Sequence, residues 1–293
     1  MNIPYNKKIA PWFLLLPFLV LFLLFKAFPV LYAAYLSLHN ITGFTVGAFA
    51  GLKNYLNVLK DPNFRLAFLN NTKYMLGTLI TLVPVPMFLA ILLESRYCKG
   101  KKVYKTMMFL PALTSLVVAA SIFRIMLYEG SSGLVNSILK VFGMKPIGWL
   151  SDPRWTLISV VIIATWRWMG MDIVYYSTGL TNIPKEMYEA AAVDGANSFQ
   201  RTWYITIPLL RPVIVFVLTL NALGGYQLFT EPYILWDGGV SPANSALTLA
   251  VLLYRKAFTH FDLGYASALG FLMAIIILAI SVIQFKLVGF FDD

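Results

Sequence analysis

Few residues in this chain could do chemistry, and they fall into three groups. Arg167, Trp168, Met171 and Asp172 belong to the run WRWMGMD inside one long apolar stretch. Gly225, Tyr226, Gln227 and, further along, Glu231 belong to another, with Gly224 beside them. Ionisable side chains surrounded by apolar sequence are expensive and, as a rule, line a polar path or pair with each other. Both readings stay open for Arg167 and Asp172, and Glu231 could equally sit at an interface. The third group is Glu189, Ala190, Ala191, Asp194, Gly195, Ala196 and Pro208, in a polar segment between those stretches. None of the three resembles a catalytic set. There is no G-x-x-x-x-G-K-[ST] phosphate loop and no H-E-x-x-H, so the chain is not expected to hydrolyse ATP or to be an enzyme. A single cysteine, Cys98, rules out an internal disulfide, and His39 and His260 stand far apart without ligand partners in sequence.

The elements that would position these groups are membrane helices. Of 293 residues 59% are hydrophobic and 12% charged, with a mean hydropathy of +0.74; soluble domains run near 45–50% and about 25%. Six apolar blocks stand out: about Pro11–Leu38, Tyr74–Leu93, Met107–Leu127, Thr156–Leu180, Val213–Leu235 and Tyr265–Phe285. Each has roughly the 20 residues a helix needs to cross the hydrocarbon. The first is too long for a signal peptide and reads as an uncleaved helix, with Lys26 awkwardly inside it. The fifth is interrupted by Gly224, Gly225 and Pro232. The expected fold is an all-α integral membrane protein of six transmembrane helices forming one domain over residues 1–293.

The net charge of +10 is read as a membrane topology signal rather than a nucleic-acid surface. The densest basic segment follows the second block, with Arg96, Lys99, Lys101, Lys102 and Lys105 against the single acid Glu94. Basic loops stay inside, which places this segment, Lys7 and Lys8 in the cytoplasm. Both termini and the segment from 181 to 212 are then cytoplasmic as well.

That last segment reads as two short helices. Pro184 suits a first helical turn, Lys185 to Val193 continue it, and Gly195 is placed to cap it with positive φ. Asn197 to Gln200 have the form of a capping box that starts the second helix. Pro208 ends that helix, and Pro212 opens the fifth span. Ala190, Ala191, Ala192, Gly195 and Ala196 present little side chain. Such a helix can lie deep in a partner's groove, with Glu189 supplying one directed charge contact.

Glu189-Ala190-Ala191, Asp194-Gly195-Ala196 and Ile205-Thr206-Ile207-Pro208 together resemble the EAA loop of binding-protein-dependent ABC importer permeases. The segments Gly51–Phe64 and Asp237–Gly270 resemble the sugar-type branch, apart from Val240 where Gly-Gly-Pro is usual. The resemblance implies that the loop forms coupling helices between the fourth and fifth spans. It also implies a second permease, two ATP-binding subunits that hold the ATP and Mg, and an extracytoplasmic solute-binding protein, in the inner membrane of a prokaryote. No cofactor is expected in this chain. In the maltose-type branch the corresponding parts of the fourth and fifth helices line the sugar site. Aromatic rings can cover the C–H faces of a sugar while polar groups meet its hydroxyls. Arg167 leaves room for an anionic solute instead, such as a uronate oligosaccharide or glycerol phosphate. A secondary transporter is the rival from another class, although no internal repeat supports it.

Overall fold

The computed structural model describes residues 10–42, 45–95, 97–130 and 133–287; the basic residues Lys7, Lys8 and Arg96 lie outside them. The first apolar block is one helical run, α1 (Ala10–Phe22) passing through a π-helical turn at Leu23–Ala27 into α2 (Phe28–Ser37). The wide turn precedes Pro29, which has no N–H to return to Phe25. Lys26 lies in this turn on an exposed position. A hairpin follows, β1 (His39–Thr42) antiparallel to β2 (Thr45–Phe49), then α3 (Lys53–Lys60). Buried Asn54 on α3 donates to the carbonyls of Ser37 and His39, both at 2.9 Å, and so satisfies the end of α2. These elements form one compact unit with residues 253–274, in which the Tyr265 hydroxyl donates to Asp61 at 2.9 Å.

The second compact unit takes residues 62–252 with 275–293. Its helices are α4 (Pro62–Leu82), α5 (Pro84–Glu94), α6 (Lys101–Leu113), α7 (Leu116–Met126), α8 (Leu134–Val141) and α9 (Pro153–Thr181). After these come α10 (Lys185–Val193), α11 (Ser198–Arg201), a π-helical turn at Thr202–Thr206 and α12 (Ile207–Leu209). α13 (Arg211–Tyr226), α14 (Thr230–Leu235), α15 (Leu249–Tyr254) and α16 (Leu263–Leu287) complete the chain. The last two cross the boundary between the units.

Among the described residues, four runs are long and apolar enough to cross a membrane: Leu14–Ser37, Pro62–Glu94, Pro153–Thr181 and Leu263–Gln284. Two further pairs qualify only as bent spans. α6 and α7 meet at 95°, and the run Ser198–Leu209 meets α13 at 66°. The third apolar block is therefore broken rather than straight. Pro111 sits inside the last turns of α6, and Thr114 and Ser115 are extended, so the chain leaves the helix where a backbone donor is missing. The second span begins at Pro62, well before Tyr74, because Asn70, Asn71 and Thr72 are helical in spite of their polarity.

α9 is the centre of this unit and packs against α4, α5, α6 and α13. Ile163, Ile173 and Tyr176 are wholly buried on it. Gly170 is what lets α6 come close: a Cβ there would lie 1.8 Å from the Met108 carbonyl oxygen. In the last turn of α7, Arg124 makes two 2.6 Å bonds to the Asp237 carboxylate, and these, with the guanidinium charge, hold that carboxyl below its usual range. Glu94 accepts from Lys101 at 2.7 Å and from Lys105, so the basic segment after α5 carries its own partial neutralisation.

Two adjacent asparagines on α4 hold the far end of the unit. Asn70 donates to the carbonyls of Asn244 and Leu247, both at 3.0 Å. Asn71, fully buried, donates to the Gly225 carbonyl at 2.7 Å and accepts from Leu249 N–H at 2.9 Å. It thus satisfies the end of α13 and the start of α15 with one side chain. Asn71→Ala orphans both backbone groups and is expected to cost about 1–3 kcal/mol per group left unsatisfied. Thermal unfolding of the purified variant would read this as a clear drop in midpoint, whereas Lys73→Ala, on an exposed position of the same helix, should leave the midpoint unchanged.

Candidate functional site

α13 ends early. Its 16 residues extend about 24 Å at 1.5 Å per residue, less than the ~30 Å of a bilayer's hydrocarbon. The chain opens at Gln227–Phe229 before α14 resumes. The sequence placed this interruption at Gly224, Gly225 and Pro232, but both glycines are still helical and Pro232 sits within α14. The opened segment is held by side chains. Asn71 bonds the Gly225 carbonyl, and the buried Thr248 hydroxyl donates to the Leu228 carbonyl at 2.8 Å.

Where α13 opens, a cavity of about 410 Å³ forms between α4, α9 and the opened chain. This is within the usual size range of small-molecule sites, roughly 300–1,000 Å³. Of the residues singled out from sequence, Trp168, Met171, Asp172, Gly225, Gln227 and Glu231 line it together, with Gly224. Trp168 and Gln227 are exposed in it, while Asp172 and Glu231 are 4% and 5% exposed. Asp172 accepts from Asn221 Nδ2 at 3.1 Å.

Arg167 and Tyr226 are not in the lining. The Arg167 guanidinium is directed to the carbonyl of Thr114, at the break between α6 and α7, and to the Thr114 hydroxyl at 3.2 Å. Its Cζ stands 5.1 Å from the centre of the Trp168 ring, a cation–π contact that holds the ring while pointing the charge elsewhere. It makes no ion pair with Asp172. Tyr226 is buried, its hydroxyl 2.8 Å from that of Thr72. The sequence missed Tyr74 and Thr78 of α4, Tyr175 of α9 and Asn221 of α13, all of which contribute lining. The available signal was polarity inside an apolar run. Asn221 stands alone in VIVFVLTLNALGG, and the polar run before Tyr74 was taken to precede the helix.

The two glycines of α13 do opposite jobs. A Cβ at Gly225 would meet Met75 Cβ at 2.8 Å, so this residue sets the approach of α13 to α4. A Cβ at Gly224 would meet nothing within 4 Å and would enter the cavity.

The polar segment is a separate feature of the same unit. α10 ends in a Schellman motif: Ala196 N–H bonds the Ala191 carbonyl at 2.9 Å, Gly195 N–H bonds that of Ala192 at 3.2 Å, and Gly195 has φ +80°. A capping box follows, with Gln200 N–H on Asn197 Oδ1 at 2.9 Å and Asn197 N–H on Gln200 Oε1 at 2.8 Å. Pro208 does not end the second helix. A π-helical turn at Thr202–Thr206 carries the run through Pro208 to Leu209, and the bend falls at Leu210. Glu189 and Ala190 are exposed, as are Val193, Phe199, Trp203 and Tyr204. Ala191, Asp194, Gly195 and Ala196 share a shallow groove of about 320 Å³ with Arg201 and Tyr204. Within the segment, the Tyr188 hydroxyl of α10 lies 3.0 Å from that of Thr206 in the π-helical turn, joining its first helix to its second.

Residues 8–292 match the family described as binding-protein-dependent transport system inner membrane component. The arabinooligosaccharides transport system permease protein AraP of Bacillus subtilis is 42% identical over 98% of this chain and 91% of its own length. The lactose transport system permease protein LacF of Rhizobium radiobacter is 33% identical over 94% and 92%. Among solved structures, a chain of a bacterial ABC transporter involved in the import of the acidic polysaccharide alginate superposes with a TM-score of 0.83 at 25% identity, covering 96% of this chain and 97% of that one.

Two outcomes follow from the glycine geometry. Gly225→Ala overpacks the α13–α4 contact and is expected to destabilise by about 1–3 kcal/mol, while Gly224→Ala is neutral or stabilising by up to ~1 kcal/mol; unfolding midpoints of the two variants check the contrast. In the polar segment, Gly195→Val forces a β-branched residue into the left-handed region at a cost of about 1–2 kcal/mol. Limited proteolysis between 190 and 200 should accelerate without a change in the global unfolding midpoint.

Proposed function

The chain belongs to the family of inner membrane components of binding-protein-dependent transport systems, the permease subunits of ABC importers, and from that premise we propose that it moves a carbohydrate, most simply an oligosaccharide, by alternating access. The observation that carries this is the coincidence in one chain of an exposed, small-residue, doubly capped helix end and a cavity where a membrane helix opens. The relatives named for arabinooligosaccharide and lactose transport support a carbohydrate as the solute. So does the lining, which offers the rings of Trp168, Tyr74 and Tyr175 together with the Gln227, Thr78 and Asn221 side chains.

In this reading each bent pair counts as one span, which gives six, with both termini and the α10–α12 segment on the cytoplasmic side of a prokaryotic inner membrane. A second, homologous permease completes the pathway. Two ATPase subunits bind ATP with Mg, and an extracytoplasmic protein delivers the solute. α10 docks in a cleft of an ATPase subunit. Ala190, Ala191 and Ala196 permit close approach, and Glu189 makes the directed charge contact. The Schellman turn and the capping box keep this end rigid, so that a displacement of the ATPase is passed to the membrane helices rather than absorbed in the loop. Closing of the ATPase dimer on ATP and its release after hydrolysis then bias two states of the pathway by differential binding.

The test is isolation of the intact complex from native membranes by a tag on this chain. A second permease and an ATPase should co-purify, and Glu189→Lys should lose the ATPase while the chain keeps its unfolding midpoint. If the chain purifies alone and moves solute without ATP, the reading is wrong and a secondary transporter takes its place. Gly224→Trp should leave the complex assembled but reduce uptake at least tenfold, because the side chain fills the cavity without meeting the packing of α13.

A further inference from the structure

The short helix α3 has three distinct faces. Asn54 and Val58 are buried, at 7% and 0% exposure, and seat it in its unit. Leu52, just before the helix, Leu56 and Leu59 follow at spacings of four and three residues and share a second face. All three are more than half exposed. Lys53 and Lys60, seven apart, stand on an exposed flank beside that stripe. The acid that follows, Asp61, is met by Lys256 at 3.5 Å and by the Tyr265 hydroxyl at 2.9 Å, so its charge is balanced from elsewhere.

The level of α3 is set by the ends of the apolar spans. Asn54 donates to the carbonyls of Ser37 and His39, where the run Leu14–Ser37 stops, and the Tyr55 hydroxyl lies 2.9 Å from Ser37 Oγ. Gly264, at the start of the run Leu263–Gln284, comes against the same point: a Cβ there would lie 2.9 Å from Asn54 Nδ2 and from the His39 carbonyl oxygen. The next span opens at Pro62, directly after α3. Exposed Tyr32 and Tyr35 mark this end of α2, stacked at 6.2 Å, with the His39 ring 4.0 Å from that of Tyr35. Tyrosine rings collect where hydrocarbon meets headgroups.

We infer that α3 is a docking surface for phospholipid. It lies in the membrane interface, with Leu52, Leu56 and Leu59 against the acyl chains and Lys53 and Lys60 on anionic headgroups. Only the crossing of the membrane by Leu14–Ser37 is needed for this; the cavity and the α10–α12 segment play no part. A helix with leucines on one face and lysines beside them is held in the interface by its apolar area and by attraction to anionic lipid. The lysine stems run along the apolar surface while the ammonium groups stay with the phosphates. At the depth that Asn54 fixes, hydrocarbon and headgroups are both within reach of one helix. A protein partner fits less well, because three leucines offer much less than the roughly 800 Å² that each side of a stable protein interface buries.

The test uses the full complex in phosphatidylcholine nanodiscs, with Cys98→Ser as background. A bimane fluorophore is attached at Leu56→Cys or, on the exposed polar side of α3, at Asn57→Cys. Both positions are exposed, so neither change touches the packing of the unit, and Leu59→Cys repeats the Leu56 reading if that variant does not fold. Quenching is measured with a nitroxide near the top of a phospholipid acyl chain and with acrylamide in the water. The ratio of lipid to water quenching should be severalfold higher at Leu56 than at Asn57. At low mole fraction, the nitroxide on phosphatidylglycerol should quench the Leu56 label at least about twofold more than the same nitroxide on phosphatidylcholine. Lys53→Gln with Lys60→Gln should bring that ratio towards one. Quenching of the Leu56 label by neither agent would mean that a protein chain covers the stripe, and quenching by acrylamide as at Asn57 would leave the stripe in water; either result overturns the inference. So does equal quenching by the two lipids in the chain with both lysines, or a difference that survives their loss. None of these readouts involves transport, ATP or the solute, so the lipid surface and the importer reading fail separately.

Discussion

Everything in the larger unit depends on how α13 is allowed to end. A backbone that leaves the helix at the depth of a membrane must find partners inside the protein, since lipid offers none. Asn71 and Thr248 meet that requirement at the Gly225 and Leu228 carbonyls, 2.7 and 2.8 Å away. Once these bonds are made, α13 can stop at Tyr226, the chain can open, and the space that the missing helical turn would have filled becomes a cavity. The same side chain of Asn71 orders the start of α15, so the opened segment and the following connection are fixed together.

The break between α6 and α7 is solved in the same way with a different residue. There the Thr114 carbonyl is met by Arg167, a charge buried in α9 for this purpose. One consequence is chemical: the guanidinium that could have faced a solute is withdrawn from the cavity, and Trp168 is left in its place with Arg167 behind it. Structural satisfaction of one broken helix thus takes the cation out of the lining of the site beside it.

The α10–α12 segment is organised on other terms. Its geometry comes from bonds between residues three to five apart, in the Schellman turn and the capping box, and from the Tyr188–Thr206 contact that joins its two halves. A part that must keep its shape while exposing Val193, Phe199 and Trp203 gains from being locally determined. Its order does not rest on the packing of the helices that it is proposed to move.

This difference also explains what could be read from sequence. The membrane class, the position of the polar segment, the positive φ at Gly195 and the Asn197–Gln200 box were all legible, because hydrophobic length and capping are properties of contiguous residues. Pro208 does not end the second short helix, since a π-helical turn absorbs that proline, and the third block, one apolar span in sequence, is broken at Thr114 and Ser115. The lining was legible in part: Trp168, Asp172, Gln227 and Glu231 stand out as polar or aromatic in apolar runs. What only the tertiary structure decided was which way each one faces. Arg167 and Trp168 are neighbours in sequence, and Gly224 and Gly225 are identical. Yet one member of each pair borders open space, while the other is spent on, or pressed against, a neighbouring element. A choice of that kind depends on the carbonyl of Thr114 and the side chain of Met75, which come from other helices, and no local pattern carries that information.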